Sequence, residues 1–255
     1  MTKQSPTYDG VMYERYRAPY PKKVAEKLFS LTNYDPSQTI LEIGCGTGKG
    51  TEVLIEQGAK VHAIEPNSSM GKIAEQKFSP QKFTWEASKF EDYLGQEASF
   101  PLITSAHAFH WVDPDIAFEK CFKLLRPGGA LAIYRNNRKH DDEFSQKEHQ
   151  IHVELNGAAP HGSWNELYYE ALAECIAEYT KRTKGLFHHP QVYEFEHTIN
   201  YTADQYLGLQ NTSWSDGQNN SNWQTVLTRT EEIIKSMGGT IVYPYTTILY
   251  VLFRQ

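Results

Sequence analysis

Between residues 41 and 49 the chain reads Leu-Glu-Ile-Gly-Cys-Gly-Thr-Gly-Lys. Glycines at alternate positions let a ligand approach the main chain without meeting a Cβ. Where such a run joins a strand to a helix, its N–H groups stand beside the positive end of the helix dipole. Two nucleotide patterns fail. The P-loop spacing GxxxxGK[ST] is absent, and the dinucleotide pattern GxGxxG, counted from Gly46, meets Lys49 where its third glycine belongs. What stands is ExGxGxG, with Glu42 two residues before Gly44. Glu65 lies 21 residues beyond Gly44. A carboxylate that closes a second parallel strand can accept both hydroxyls of a ribose.

Other residue types point less sharply. His110 could take a proton from a hydroxyl or hydrogen-bond a substrate, or the His-Trp pair could pack its own loop. If the substrate is a carboxylate no base is needed, and Arg15, Arg17, Arg135 or Arg138 could pair with it. His107 and His110 lack a matching Asp or Cys set, and the adjacent His188 and His189 cannot easily face one site, so no metal is expected. Cys45, Cys121 and Cys175 are odd in number and far apart, with no CxxC, and read as reduced thiols. Trp164, Tyr168, Tyr169, Trp214, Trp223, Tyr243 and Tyr245 make the second half aromatic, suited to walling a pocket or filling a core.

The elements that must position these groups follow from periodicity. Short apolar runs at Thr39–Ile43, Lys60–Ile64, Phe83–Trp85, Leu102–Ala106 and Ala130–Tyr134 read as strands. Helices fit Lys49–Gln57, Ser68–Phe78 and about Asp115–Leu125, with Arg126–Gly129 as a turn. That alternation implies right-handed crossovers and a parallel sheet covered on both faces. Asn136–Asp142 reads as a polar loop, and 143–184 as helical with a break at Gly157–Ser163. Val192–Tyr201 fits a half-exposed strand, Thr202 caps a helix, Trp223–Met237 is helical, and Thr246–Phe253 is a last strand.

The chain has 255 residues, 40% of them hydrophobic and 22% charged, with a formal net charge of -6. This length and balance fit a globular core without staples and exclude a disordered chain. The acidic balance disfavours a nucleic-acid partner. The N-terminal residues lack a signal-peptide core and no apolar run is long enough to cross a bilayer, so no membrane partner and a cytoplasmic location are expected.

Taken together, Glu42–Gly48, Glu65 and the run Leu-Leu-Arg-Pro-Gly-Gly at 124–129 resemble the class I S-adenosylmethionine-dependent methyltransferases. Tyr13–Pro21, Ala108–Trp111 and Gln210–Ser215 are similar to the small-molecule branch of the type 11 group, which includes the trans-aconitate methyltransferase-like proteins. The resemblance covers Leu41–Tyr134 well. It departs at Lys89–Phe90, where an acid-alanine pair is more usual, and at Pro101, where an aspartate commonly opens the fourth strand. It implies a Rossmann-like α/β fold: a seven-stranded, mostly parallel sheet with the last strand antiparallel, helices on both faces and a helical lid insertion. The whole chain then forms a single methyltransferase domain, with 1–38 as N-terminal cap helices, 39–135 as the cofactor core, 136–190 as the lid, and 191–255 completing the sheet. The implied cofactor is S-adenosyl-L-methionine. Glu42, Gly44, Gly46, Gly48, Glu65, Met70, Ser88, the Phe90 backbone and Ser105 would hold it, with Arg17 folding over it. His107, Trp111, Arg135 and Trp214 would face a small-molecule acceptor, with His110 as catalytic candidate. A non-catalytic cofactor-binding regulator is the alternative, and a nicotinamide oxidoreductase is opposed by Lys49.

Overall fold

The computed structural model describes residues 9–138, 142–157, 174–212 and 221–255. Two helices, α1 (Gly10–Tyr16) and α2 (Lys23–Thr32), precede the alternating core. The core runs β1 (Thr39–Ile43), α3 (Lys49–Glu56), β2 (Lys60–Ile64), α4 (Ser68–Lys77), β3 (Phe83–Glu86), β4 (Phe100–Ala106), α5 (Pro114–Leu124) and β5 (Leu125–Arg138). Then come α6 (Glu143–Asn156), α7 (174–182), β6 (Gln191–Thr202), α8 (Ala203–Asn211), α9 (Trp223–Ser236) and β7 (Thr240–Phe253). The strands form one seven-stranded sheet in the order β3-β2-β1-β4-β5-β7-β6. Strands β1 to β5 pair in parallel, and β7 runs antiparallel to both β5 and β6.

Neighbouring residues of a strand point to opposite faces, so each central strand feeds two cores. On one face Ile103, Leu131 and Ile248 pack against Phe118, Cys121 and Leu124 of α5. On the other, Leu102, Ala132 and Leu249 pack against Val24 and Leu28 of α2 and Val53 and Leu54 of α3. Thus α2, expected as part of a cap, is a sheet-packing helix. A third cluster joins Tyr16 of α1, Phe144 of α6, Tyr206 and Leu209 of α8, and Ile234 of α9 to Tyr201, Tyr243 and Tyr245 of the last strands. Tyr243 and Tyr245 therefore fill core. Trp164, Tyr168, Tyr169 and Trp214 lie outside the described residues.

Three boundaries differ from the sequence expectation. Asn136–Arg138, read as loop, continue β5 and pair with Tyr245–Thr247. Those residues are polar, and the neighbouring strand makes strand of them; the Asn136 side chain also accepts from Thr247 Oγ1 at 2.5 Å and donates to Pro19 O at 3.0 Å. The last strand begins at Thr240, and Pro244 falls just beyond the end of the β5 ladder, where one flank of β7 has no neighbouring strand. Arg126–Gly129 forms a register shift within β5, with Gly128 at φ +73°.

Candidate active site

The glycine run occupies the bend between β1 and α3, at the carboxyl edge of the parallel strands. Gly44, Gly46 and Gly48 all have left-handed φ, at 70°, 54° and 86°. Space is equally restrictive at two of them. A Cβ on Gly44 would lie 2.4 Å from Ala108 Cβ, and one on Gly48 would lie 2.6 Å from the Phe78 ring. The loop is thus sandwiched between the end of β4 and α4. Met70, buried in α4, supports Gly46 from below, with its Cε 3.3 Å from a Cβ built there.

Glu65 closes β2 beside this loop. Its Oε2 accepts the Gly46 N–H and its Oε1 the Asn67 N–H, both at 2.8 Å. Burial raises its pKa and those two bonds pull against the rise. Each carboxylate oxygen keeps a lone pair for a further donor. Glu42 is fully buried beneath the loop. Its Oε2 accepts from Thr51 Oγ1 at 2.6 Å, while Oε1 has no hydrogen-bond partner. Burial, aided by the charge of Glu65 and opposed by the Thr51 bond, pushes its carboxyl up to about 7. A bare-backbone loop, an acid with free lone pairs at a strand end and an orphaned buried carboxylate oxygen fit the ribose and amino-acid portions of S-adenosylmethionine.

The remaining cofactor-side residues divide. Ser88 is half-buried and its hydroxyl donates to Lys89 O at 3.0 Å. The Phe90 ring is core, packed with Ile64 and Tyr93, which leaves its backbone for the cleft. Ser105 is fully buried and donates to Ile43 O at 2.9 Å, so its hydroxyl braces β4 against β1 and does not reach a ligand. Arg17 donates from Nη2 to Thr212 O at 2.5 Å and stacks on Tyr13.

The second half of the site follows β4. His107 turns the chain with φ +55°, and its N–H donates to Tyr134 O at 2.8 Å. Its ring lies 5.6 Å from that of His110, edge to face. The residue keeps an exposed surface, yet the protein crowded around its ring holds it well below the usual histidine range. The positive charges of Arg17 and Arg135 and the neighbouring His110 push the same way. Arg135 projects from β5 with Nη2 3.7 Å from Cys175 Sγ of α7, and lies near Tyr179 and Tyr250. His110 is exposed on a short turn, Phe109–Trp111, with its ring 4.7 Å from Trp111. A cleft of about 440 Å³ opens here between that turn, the start of α5 and Glu178, Tyr179 and Arg182 of α7.

Two of the four arginines form ion pairs elsewhere. Arg138 donates to Glu148 Oε2 and Ser145 Oγ at 2.8 Å and sits over the Tyr243 ring, holding α6. Arg15 lies on the surface, 3.7 Å from Asp204. Residues not singled out in sequence also reach the site. Tyr20 stacks edge-on to Tyr134 at 5.0 Å and feels both Arg17 and Glu42. Tyr179, Cys175 and Tyr250 surround Arg135. The only sequence signal of the tyrosines is the aromatic content of those segments, which a core explains equally well, and Cys175 reads in sequence only as a reduced thiol. Among the described residues no group of His, Cys, Asp and Glu could hold a metal ion.

Comparison with known proteins agrees with this arrangement. A family profile described as a methyltransferase domain matches residues 41–133. An uncharacterized methyltransferase of Mycobacterium tuberculosis is 33% identical over 126 residues, covering 49% of this chain and 49% of that protein. One from Schizosaccharomyces pombe is 28% identical over 187 residues, covering 72% of this chain and 71% of that protein. The strongest-matching stretch thus spans about half the length of the curated relatives. In fold, the chain is similar to a solved structure from Anaeromyxobacter dehalogenans named as a type II methyltransferase, with TM-score 0.67, 20% identity and coverage of 94% and 98%. It is also similar to phosphoethanolamine N-methyltransferase 2 of Haemonchus contortus, solved with S-adenosylhomocysteine, with TM-score 0.54, 15% identity and coverage of 96% and 56%. The matched stretch contains the glycine bend and Glu65: residues 41–133 are similar in sequence to methyltransferase domains, and the sheet is shared with solved methyltransferases.

Proposed function

We propose that the protein transfers the methyl group of S-adenosyl-L-methionine to a small molecule, and that the acceptor atom is a carboxylate oxygen. The cofactor half rests on Glu65, held by the Gly46 and Asn67 N–H groups at the edge of the bare glycine bend. The acceptor half rests on charge: among the described residues Arg17 and Arg135 both act on the His107 ring with positive charge. That corner of the site is positive and suits an anion. When bound, the cofactor supplies an electrophilic sulfonium methyl, whose C–S electron pair leaves with sulfur as the acceptor oxygen bonds the carbon.

The chain's own residues orient and exclude water. Arg135 and Arg17 pair with the carboxylate, and neutral His107 offers a hydrogen bond without adding charge. A carboxylate is already ionised at neutral pH, so no base is consumed. A hydroxyl acceptor is a second reading, favoured by the exposure of His110 on the cleft, where it would serve as base. The protein acts in the cytoplasm on a diffusible substrate, without a nucleic-acid or membrane partner. None of the described helices is long and apolar enough to cross a membrane.

The test is a panel of small carboxylic acids and phenols, read by formation of S-adenosylhomocysteine and of the methylated product. Methyl esters from the acids support the reading. Turnover of phenols alone reverses the acceptor assignment. Binding of S-adenosylhomocysteine without turnover of any acceptor favours the regulator.

A further inference from the structure

Lys49, the residue that breaks the dinucleotide pattern, has no part in the function above, and its position is electrostatically awkward. It is the first residue of α3, directly after the Gly48 cap. A cation there opposes the positive end of the helix dipole. Its side chain is 17% exposed, and burial lowers its pKa. Lys77 at the end of α4, 20% exposed, adds a second positive charge to the same spot.

The compensating acid comes from outside the core. Glu14 of α1 places Oε1 2.9 Å from Lys77 Nζ and 3.6 Å from Lys49 Nζ. Glu52 adds a longer contact to Lys77, at 3.8 Å. Burial alone would raise the Glu14 carboxyl; the Lys77 hydrogen bond and the charges of both lysines outweigh it and lower its pKa. Lys49 directly follows the last glycine of the bend, so this one carboxylate joins α3 and α4 beside the cofactor loop.

The other face of the short helix is fixed differently. Gly10 lies against α4, with Ile73 Cδ1 2.8 Å from a Cβ built there. The Tyr16 ring covers Gly208 of α8 so closely that a Cβ there would lie 2.5 Å from it. Arg17, the next residue, bonds Thr212 O just beyond α8. Helix α1 therefore ties the cofactor loop to the C-terminal helices, and its cofactor end is held through Glu14.

We propose that Glu14 is a positioning residue for the cofactor: by clasping Lys49 and Lys77 it fastens α1 across the glycine bend and slows escape of the bound cofactor. The inference rests on the cofactor reading above.

Two measurements on the full chain test it separately. Hydrogen exchange at residues 10–16, without ligand, reads the clasp. Stopped-flow dissociation of S-adenosylhomocysteine reads the positioning. Glu14→Gln keeps size and removes charge, and Lys77→Met removes the other partner if the first variant melts early. Both variants should speed exchange of α1, and both should raise the S-adenosylhomocysteine off-rate about fivefold to tenfold, with a much smaller change in on-rate. Combined, they should do little more than either alone. Unchanged exchange overturns the clasp. Faster exchange with an off-rate within twofold of wild type overturns the positioning role. A wild-type protein that binds no S-adenosylhomocysteine overturns the proposed function and the positioning role with it, while exchange still reports the clasp.

Discussion

Single carboxylates decide most of the chemistry here, and two of them differ in what surrounds them. Glu65 holds two backbone N–H groups as well as any ribose. Glu65→Ala thus loses ligand bonds and loosens Gly46, and calorimetry should show S-adenosylhomocysteine binding weakened by about 2–4 kcal/mol. Glu42 is a buried acid whose carboxyl stands at about 7 in the fold. The native state therefore holds a proton that the unfolded chain releases above about 4.5, and this group's contribution to stability falls as pH rises between those values. His107, whose pKa is depressed, works in the opposite direction over the lower part of that range. A difference between variants separates them. Glu42→Gln should melt several degrees above wild type at pH 8, at about 2–4 °C per kcal/mol, with the gap closing towards pH 5. A gap independent of pH would place the titration elsewhere. At the acceptor end, His110→Ala should reduce kcat about 100-fold or more if the acceptor is a hydroxyl. For a carboxylate it should do little, and Arg135→Ala should instead raise the acceptor KM, by about tenfold or more.

Elements place these residues through a few contacts each. The bend after β1 is shaped from two sides, by Ala108 against Gly44 and by Phe78 against Gly48. Gly44→Ala combines a left-handed φ with a Cβ 2.4 Å from another, so it should abolish cofactor binding even where the chain still folds. Helix α8 begins at a reciprocal cap: the Gln205 N–H donates to Thr202 Oγ1 and the Thr202 N–H to Gln205 Oε1. Thr202→Ala should cost about 1 kcal/mol in chemical denaturation, while activity per folded molecule holds. Helix α6 is held by the buried Arg138–Glu148 pair. Arg138→Met strands Glu148 among the Tyr206 and Tyr243 rings and should cost about 3–5 kcal/mol, with Glu148→Gln recovering part of it in the double variant.

For the whole molecule, binding that favours the folded state must raise its melting temperature. S-adenosylhomocysteine at 100 times its dissociation constant should add about 2.7 kcal/mol, and NAD should add nothing because Lys49 stands where the third glycine of its pattern belongs. Much of this protein was legible along the chain. The first five strands, the helices between them, the glycine bend and Glu65 are local: period, cap and breaker residues define them before any long-range contact forms. The lengths of β5 and β7 were not: Asn136–Arg138 carry no strand pattern of their own and become strand only through their ladder partners, and the β-branched, aromatic Thr240–Tyr245 is interrupted by Pro244, whose place in a strand only the pairing with β6 shows. The same limit applies to side-chain roles. Sequence offered four arginines, and the fold alone spent Arg138 on Glu148 and Arg15 on the surface, and placed Arg17, bonded to Thr212 O, and Arg135 near His107. The resemblance also offered Ser105 to the cofactor, and packing turned its hydroxyl inward to Ile43. Sequence determined what lies at the end of each strand, since that is set by neighbours a few residues away. Tertiary structure decided which distant side chains share a cavity and which are consumed in holding it, because those distances are fixed only when helices and sheet pack.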